Sequence, residues 1–289
     1  MKIAIHGKEF TSEISGFIQH VFDRLTEFQW EFTISKQFTS DLKRNKINYH
    51  SGTSYRELPA DTDMVFSIGG DGTLLEAVTH VGNKEIPILG INTGRLGFLA
   101  TTAREEFDEA MSKISNGEYG YDMRTLLHLD ASEKLFNGLN FALNDVAILK
   151  KDTSSMITVH AYLDGEFLNS YWADGIIIST PTGSTGYSIS CGGPVVIPGS
   201  HNFVITPVSP HNLTVRPMVV PDEAELSFTI EGRSKHFLVS LDSRYETVDD
   251  SIKLVIRKED FKAKLVKIEG YSYFRTLRQK LNWGLDARN

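Results

Sequence analysis

Hydrophobic periodicity changes character near Tyr121 in this 289-residue chain, and that change calls for two different kinds of folding unit. Upstream of it, short apolar runs alternate with amphipathic stretches. Residues 2–5 read as a strand. Ile14, Phe17, Ile18, Val21, Phe22, Leu25 and Phe28 then recur at three- and four-residue spacing, which places them on one helical face. A more polar helical stretch is expected around residues 41–47. A strand at 64–68, a helix at 74–81, a strand at 86–91 and a helix at 104–114 follow. Strand–helix alternation of this kind implies a parallel sheet with helices on its faces.

Downstream of Tyr121, to about residue 268, the helical period disappears and β-rich runs are punctuated by turn pairs. Asp164-Gly165 separates residues 157–163 from 167–171, and Glu231-Gly232 separates 226–230 from 236–241. Both pairs predict hairpins, the Asp-Gly pair more strongly because both of its residues tolerate positive φ. This region is expected to be a sandwich-like pair of sheets. Helical spacing returns at the end through Phe274, Leu277 and Leu281. The expected fold class is therefore α/β + β: an α/β domain over residues 1–120, a β-rich domain over 121–269, and a C-terminal helix within 270–289.

Composition narrows the function. Apolar residues make up 40% of the chain and charged residues 23%, enough to bury a core without disulfides or a structural metal. The single cysteine, Cys191, provides no disulfide framework and points to a reducing compartment. The apolar stretch at residues 3–5 is too short for a signal-peptide core, and no run approaches the roughly 18–20 apolar residues of a membrane helix. A cytoplasmic protein is expected, with no membrane partner. A formal net charge of −7 disfavours nucleic acid and anionic membranes as partners. It leaves nucleotides open, because a few local donors suffice to hold phosphates. The nine histidines have no metal-ligand spacing among themselves or with Cys191, so no protein-held metal is expected.

Two motifs carry chemistry. Gly69-Gly70-Asp71-Gly72-Thr73 lies between a predicted strand and a predicted helix. Glycines let a ligand approach the backbone closely, and amides at the start of the following helix suit phosphate. The loop lacks the Lys-Ser/Thr ending of a Walker A motif. Asp71 is its unusual member: a carboxylate near phosphates is repelled unless it accepts a proton or holds a cation. The plain alternative is a glycine-rich turn with Asp71 capping the helix. The second motif is the hydroxyl-rich stretch of residues 179–190, followed by Cys191-Gly192-Gly193-Pro194. Uncharged hydroxyls both donate and accept hydrogen bonds, so such a loop can read ribose, amide or phosphate groups. Its alternative, a flexible linker, fits poorly between two apolar runs. Asn144-Asp145 and Asp174-Gly175 are weaker signals, each readable as a simple turn pair.

Taken together these motifs resemble the NAD kinase family. Asp71 looks like that family's catalytic aspartate. Asn92-Thr93-Gly94-Arg95-Leu96-Gly97-Phe98-Leu99 is similar to the loop after its next strand. Asn144-Asp145 falls where the family usually has Asn-Glu, and Asp174 with residues 179–187 matches its most specific signature. Pro210-His211 with Arg216-Pro217 matches a further block. The resemblance spans nearly the whole chain. A GGDG loop alone is shared with phosphofructokinases and with diacylglycerol and sphingosine kinases; five motifs in order are not.

The resemblance implies a Rossmann-like N-terminal α/β domain, with the C-terminal helix packing back on it, and an all-β domain that supplies most contacts to NAD, which lies between the two domains. It implies phosphoryl transfer from ATP to the 2′-hydroxyl of the adenosine ribose of NAD, giving NADP. Asp71 acts as general base. Gly69, Gly70, Gly72 and Thr73 accommodate donor phosphates with Mg²⁺. Phe98, Asn144, Asp145, Asp174, Thr182, Thr185, Gly186, Tyr187, Ser188 and Ser190 make the NAD site. A homodimer or homotetramer is implied as well. Three departures stand out: Asp145 shortens the usual glutamate by one methylene, Gly186 replaces a common alanine, and Trp172 replaces a basic residue thought to reach a ligand in a neighbouring subunit. A charge-mediated contact of that last kind is not expected here. A lipid kinase is the rival reading, disfavoured by the lack of a basic amphipathic helix. A non-catalytic NAD-binding regulator is a third, disfavoured because pure binding gains nothing from Asp71.

Overall fold

The computed structural model describes residues 1–49, 52–151, 155–270 and 272–284. Residues 271 and 285–289 of the expected C-terminal segment lie outside the described residues. The chain divides into two compact units, Met1–Met123 with Ala263–Asn289, and Arg124–Lys262.

The first unit is α/β. Its strands are β1 (Lys2–Gly7), β2 (Glu31–Ser35), β3 (Thr53–Tyr55), β4 (Met64–Gly69) and β5 (Ile88–Asn92), with helices α1 (Ser15–Glu27), α2 (Lys36–Arg44), α3 (Asp71–Val81) and α4 (Phe107–Ser115). The strands pair in parallel in the order β5-β4-β1-β2-β3. Parallel strands covered by helices must be apolar on both faces, as β4 is, with Met64, Val65, Phe66 and Ile68 all buried. On α1 the predicted face is the buried one: Ile18, Val21, Phe22 and Leu25 are each at most 1% exposed, and each contributes about 1.5–3 kcal/mol of apolar burial. Strand order reverses between β1 and β4, and Gly7 of β1 pairs with Ile68 of β4. The glycine loop thus leaves the sheet at its carboxyl edge beside the switch point, where open α/β sheets hold ligands.

Three elements here differ from expectation. Strands β2 and β3 are absent from the sequence-based expectation, although in β2 Phe32 and Ile34 alternate with polar neighbours and are buried. The polar helix runs over Lys36–Arg44 rather than 41–47, because Phe38 and Leu42, one turn apart, supply its buried face.

The second unit is an antiparallel sandwich. Strands β6 (Tyr119–Ala131) and β7 (Phe141–Ala142) precede β8 (Asp145–Lys150), β9 (Ile157–Leu163), β10 (Glu166–Ala173) and β11 (Gly175–Ser179). A short helix α5 (Tyr187–Ser190) follows, then β12 (Asn202–Val208), β13 (Met218–Pro221), β14 (Leu226–Gly232), β15 (His236–Leu241), β16 (Arg244–Asp249) and β17 (Leu254–Ile268). One sheet runs β13-β12-β11-β8-β15-β16, and the other contains β10-β9-β14-β17. Inward residues of both join one core, among them Val146, Ile148, Ile178, Phe203 and Phe237 against Val159, Ala161, Phe228 and Ile256. β17 ends in the first unit, where Leu265 pairs in parallel with Ile88. Helix α6 (Tyr273–Leu281) follows it.

The Asp164-Gly165 hairpin forms as the turn chemistry requires, with φ of 50° and 81° at its two residues and Leu163 opposite Glu166. The Glu231-Gly232 hairpin does not form. Both residues remain in β14 and pair with Thr158 and Ile157 of β9, while β15 pairs with β8 and β16 in the other sheet. The chain there crosses between sheets, because the alternate residues Phe228 and Ile230, then Phe237 and Val239, face the shared core from opposite sides. The tight turn comes later, at Asp242-Ser243 between β15 and β16, with Asp242 at φ 53°.

Candidate active site

In the α/β unit the chemistry gathers at the end of β4. Gly69 has φ 154°, and a Cβ there would stand 2.3 Å from Thr73 Oγ1, so only glycine fits the turn. Gly70 and Gly72 are exposed, and a Cβ on either would meet nothing within 4 Å. The space beside both is open to a ligand. Asp71 is the first residue of α3, and the helix begins there rather than at Leu74 because Thr73 and Leu74 N–H both donate to Gly70 O.

Asp71 does not cap its helix. Its half-buried carboxylate receives three consecutive amides from the loop after β5: Phe98 N–H on Oδ2 at 2.8 Å, and Leu99 and Ala100 N–H on Oδ1 at 3.1 and 2.9 Å. That loop is itself fixed. Asn92 Nδ2 donates to Arg95 O, its Oδ1 accepts from Gly94 N–H, and Thr102 pairs with the backbone of Gly90 and Asn92. Gly97 is buried against the carboxylate, with the position of a Cβ only 1.9 Å from Asp71 Oδ1. The Phe98 ring is half-buried, its centroid 6.2 Å from that of Tyr273 on α6. At the end of β1, His6 Nε2 and Lys8 Nζ meet Glu76 of α3 at 3.3 and 2.6 Å. The bond from His6, aided by Lys8, brings the Glu76 carboxyl down to about 2.

In the β unit Asn144 and Asp145 form the corner at which β8 begins. One side of the corner is held by Asp242, whose carboxylate accepts from Leu143 N–H at 2.9 Å, Asn144 N–H at 2.7 Å and Asp145 N–H at 3.2 Å. The other side is held by Thr180, which donates its N–H to Asn144 O at 2.9 Å and its hydroxyl to Leu143 O at 2.6 Å. Gly183 packs so tightly on this corner that a Cβ would stand 2.0 Å from Asn144 O. Burial, then the charge of Asp242, pushes the Asp145 carboxyl up to about 7.

The hydroxyl-rich segment is therefore not a linker. Ser179, Thr180, Ser184 and Ser188 are fully buried. Ser184 Oγ bonds Pro181 O and receives Val196 N–H, and Ser188 Oγ meets Thr206 Oγ1 at 2.8 Å. The hydroxyl of Ser188, expected at the NAD site, is thus turned into the packing. Thr182 Oγ1 accepts from Arg124 at 3.1 Å. Thr185 and Gly186 are half-buried, while Tyr187 and Ser190 are exposed. Gly186 lies beside the corner: a Cβ there would come within 3.8 Å of Asp145 Oδ2 and 3.9 Å of Asn144 Nδ2. Asp174 pairs with Lys150 Nζ at 2.5 Å. Trp172 is half-exposed and its ring meets that of His211 at a tilt, centroids 4.9 Å apart and planes at 59°. Gly97, which lies within the motif of residues 92–99, and Asp242, which lies in none, are supporting residues to which the motifs assign no role. Among the described residues no three His, Cys, Asp or Glu side chains come together to hold a metal ion.

Residues 6–119 match the ATP-NAD kinase N-terminal domain, and residues 143–268 match the ATP-NAD kinase C-terminal domain. The NAD kinase of Cytophaga hutchinsonii is 53% identical over the full length of both chains. Those of Flavobacterium psychrophilum and Bacteroides fragilis are 46% and 44% identical, again over the full length of both. Among solved structures, a yeast NADH kinase complexed with NADH has a TM-score of 0.87 at 23% identity, covering 99% of this chain and 89% of the other; that likeness speaks for the fold. An NAD kinase from Archaeoglobus fulgidus in complex with ATP has a TM-score of 0.76 at 27% identity, covering 98% and 99%. A glycine loop at the carboxyl edge of a parallel sheet, an aspartate held beside it and these relatives define the chain as a phosphotransferase acting on an alcohol group. It belongs to the NAD kinase family.

Proposed function

We propose that the protein transfers the terminal phosphoryl group of ATP to the 2′-hydroxyl of the adenosine ribose of NAD, with Asp71 as general base. The observation that carries this reading is the clasp on Asp71. Three amides fix the carboxylate, two of them on Oδ1 and one on Oδ2. Oδ2 keeps a lone pair with which to accept the hydrogen of a substrate hydroxyl. As the ribose oxygen bonds to the γ-phosphorus, its proton passes to Asp71. The bond from that phosphorus to the β,γ-bridging oxygen breaks, and ADP leaves. Such chemistry asks the protein mainly for positioning and charge neutralisation.

Gly69, Gly70, Gly72 and Thr73 would receive the donor phosphates, with open space at Gly70 and Gly72 and the amides that begin α3. Magnesium would arrive with the nucleotide substrate and would offset the charge of its phosphates. Asn144 and Asp145 would fix ribose and base, with Phe98, Thr182, Thr185, Gly186, Tyr187 and Ser190 lining the NAD site and Asp174 completing it. Ser188 supports that wall from within. We also assign the protein to the cytoplasm and to a homodimer or homotetramer; no helix among the described residues is long and apolar enough to cross a membrane. Incubation of the purified protein with NAD, ATP and Mg²⁺, scored by an NADP-specific dehydrogenase, should yield NADP. ADP release without NADP would overturn the assignment of the acceptor.

A further inference from the structure

We propose that Asp242 is a positioning residue for NAD: its carboxylate sets the corner from which Asn144 and Asp145 present their side chains. The inference rests on the reading that this Asn-Asp pair holds the ribose and base.

The geometry has three parts. First, three consecutive amides, of Leu143, Asn144 and Asp145, converge on the single Asp242 carboxylate at 2.7–3.2 Å. Successive amides of a regular strand point to opposite sides, so this convergence requires a bend between β7 and β8, and the carboxylate holds the bend. Second, the clasp is reciprocal: Asp242 N–H donates to Asp145 O at 3.0 Å. Asp242 stands at φ 53° at the tip of the β15–β16 hairpin, a conformation that aspartate tolerates better than most residues. Third, the same arrangement recurs at Asp71, where three consecutive loop amides also close on one carboxylate. Each unit thus fixes one chemistry-bearing segment with an aspartate: in the α/β unit the held aspartate is itself the base, and in the β unit it stands behind the binding pair.

Asp242 also acts through charge. Burial pushes its carboxyl upward, opposed by the three amides and by Arg244. An N–H can only donate, so the amides favour the ionised form, and Asp242 remains the charged member of the pair. The proton taken up near neutral pH therefore goes to Asp145, which burial and Asp242 together push up to about 7. The groups bearing on this corner are Asp242 and Arg244 from the β15–β16 hairpin, Tyr187 of α5, and Cys191 just after that helix. Asp174, paired with Lys150 of β8, acts on Tyr187. Ionised Asp145 accepts hydrogen bonds from ribose hydroxyls or a base amine, and the protonated form gives up part of that capacity. NAD affinity is therefore set to weaken as pH falls through about 7.

Initial rates of NADP formation by the full chain, with ATP saturating and NAD varied from about pH 6 to 8.5, test this in the wild type, Asp242→Asn and Asp145→Asn. In Asp242→Asn, KM for NAD should rise about tenfold while kcat stays within about threefold, since binding rather than chemistry is disturbed. The pH below which KM climbs should move down, because the neighbouring negative charge is gone. In Asp145→Asn that transition should vanish. A folded Asp242→Asn protein, checked by far-UV circular dichroism, that keeps the wild-type KM would overturn the proposal. So would a raised KM with its pH transition unmoved, which marks a merely structural corner. Should Asp242→Asn fail to fold, a transition persisting in Asp145→Asn overturns it equally. Absence of NADP from the wild type would instead sink the functional reading beneath it.

Discussion

Gly97→Ala is a small change that disturbs Asp71 without replacing it. The new methyl carbon would stand 1.9 Å from Asp71 Oδ1 and 2.6 Å from its Cγ. Comfortable non-bonded contact begins near 3.5 Å, so the carboxylate must retreat by more than about 1 Å. That retreat breaks the bonds from Leu99 and Ala100, both buried, and leaves their amides without a charged partner. Hydrogen bonds to a charged group contribute about 1.5–3 kcal/mol each, so part of the effect will appear as lower stability. The larger effect falls on turnover: a misplacement of about 1 Å in a reacting group lowers the rate roughly 10²-fold. We expect kcat for NADP formation to drop by about that factor, with KM for NAD little changed. The mechanism is tested by a cycle with Asp71→Asn. Because Gly97 acts through Asp71, adding Gly97→Ala to Asp71→Asn should lower kcat by no more than about threefold further. A Gly97→Ala variant with near-normal kcat, or two losses that multiply in full, would show that Gly97 does not act through Asp71.

Other outcomes follow from the same geometry. Asp145, at about 7 in the folded chain against 3.8 for the free side chain, holds its proton longer when folded. Its contribution to stability is fully present below the unfolded value and lost as pH rises through about 7, a change on the order of 4 kcal/mol. Asp145→Asn should therefore gain stability over wild type, by urea midpoint, as pH rises from about 4 to about 7, whereas a gap independent of pH would contradict the raised carboxyl. Ser188→Ala, which leaves buried Thr206 without its partner, should lower stability by about 1–2 kcal/mol while KM for NAD holds steady. A several-fold rise in that KM would return Ser188 to the ligand surface.

Much of this was legible in the sequence, and the gaps have physical causes. The α1 face could be read because four large apolar residues at helical spacing admit one solution. Strand β2 could not, since five residues with two buried apolar side chains carry too little periodicity to compete with the helices around them. Glu231-Gly232 has the composition of a turn, but pairing with β9 extends the strand through it, and local turn chemistry cannot report which sheet the next strand joins. Asp71 announced itself by standing among glycines. The amides that clasp it did not, because a backbone N–H has no residue type, and only the sharp approach of Gly97 betrays them. Asp242 was hidden for the opposite reason: Asp242-Ser243 looks like an ordinary hairpin turn until the three amides on its carboxylate are seen. Within residues 179–190 the hydroxyls are alike in sequence, and burial alone separates Ser184 and Ser188, spent on packing, from Thr185 and Ser190, left accessible.

The most direct test of the account is turnover by Asp71→Asn, which keeps the shape and removes the proton acceptor. NADP formation from NAD, ATP and Mg²⁺ should fall by about 10²–10⁴ in kcat, the usual worth of a positioned base, while KM for NAD changes little. Turnover near that of the wild type would contradict Asp71 as the base.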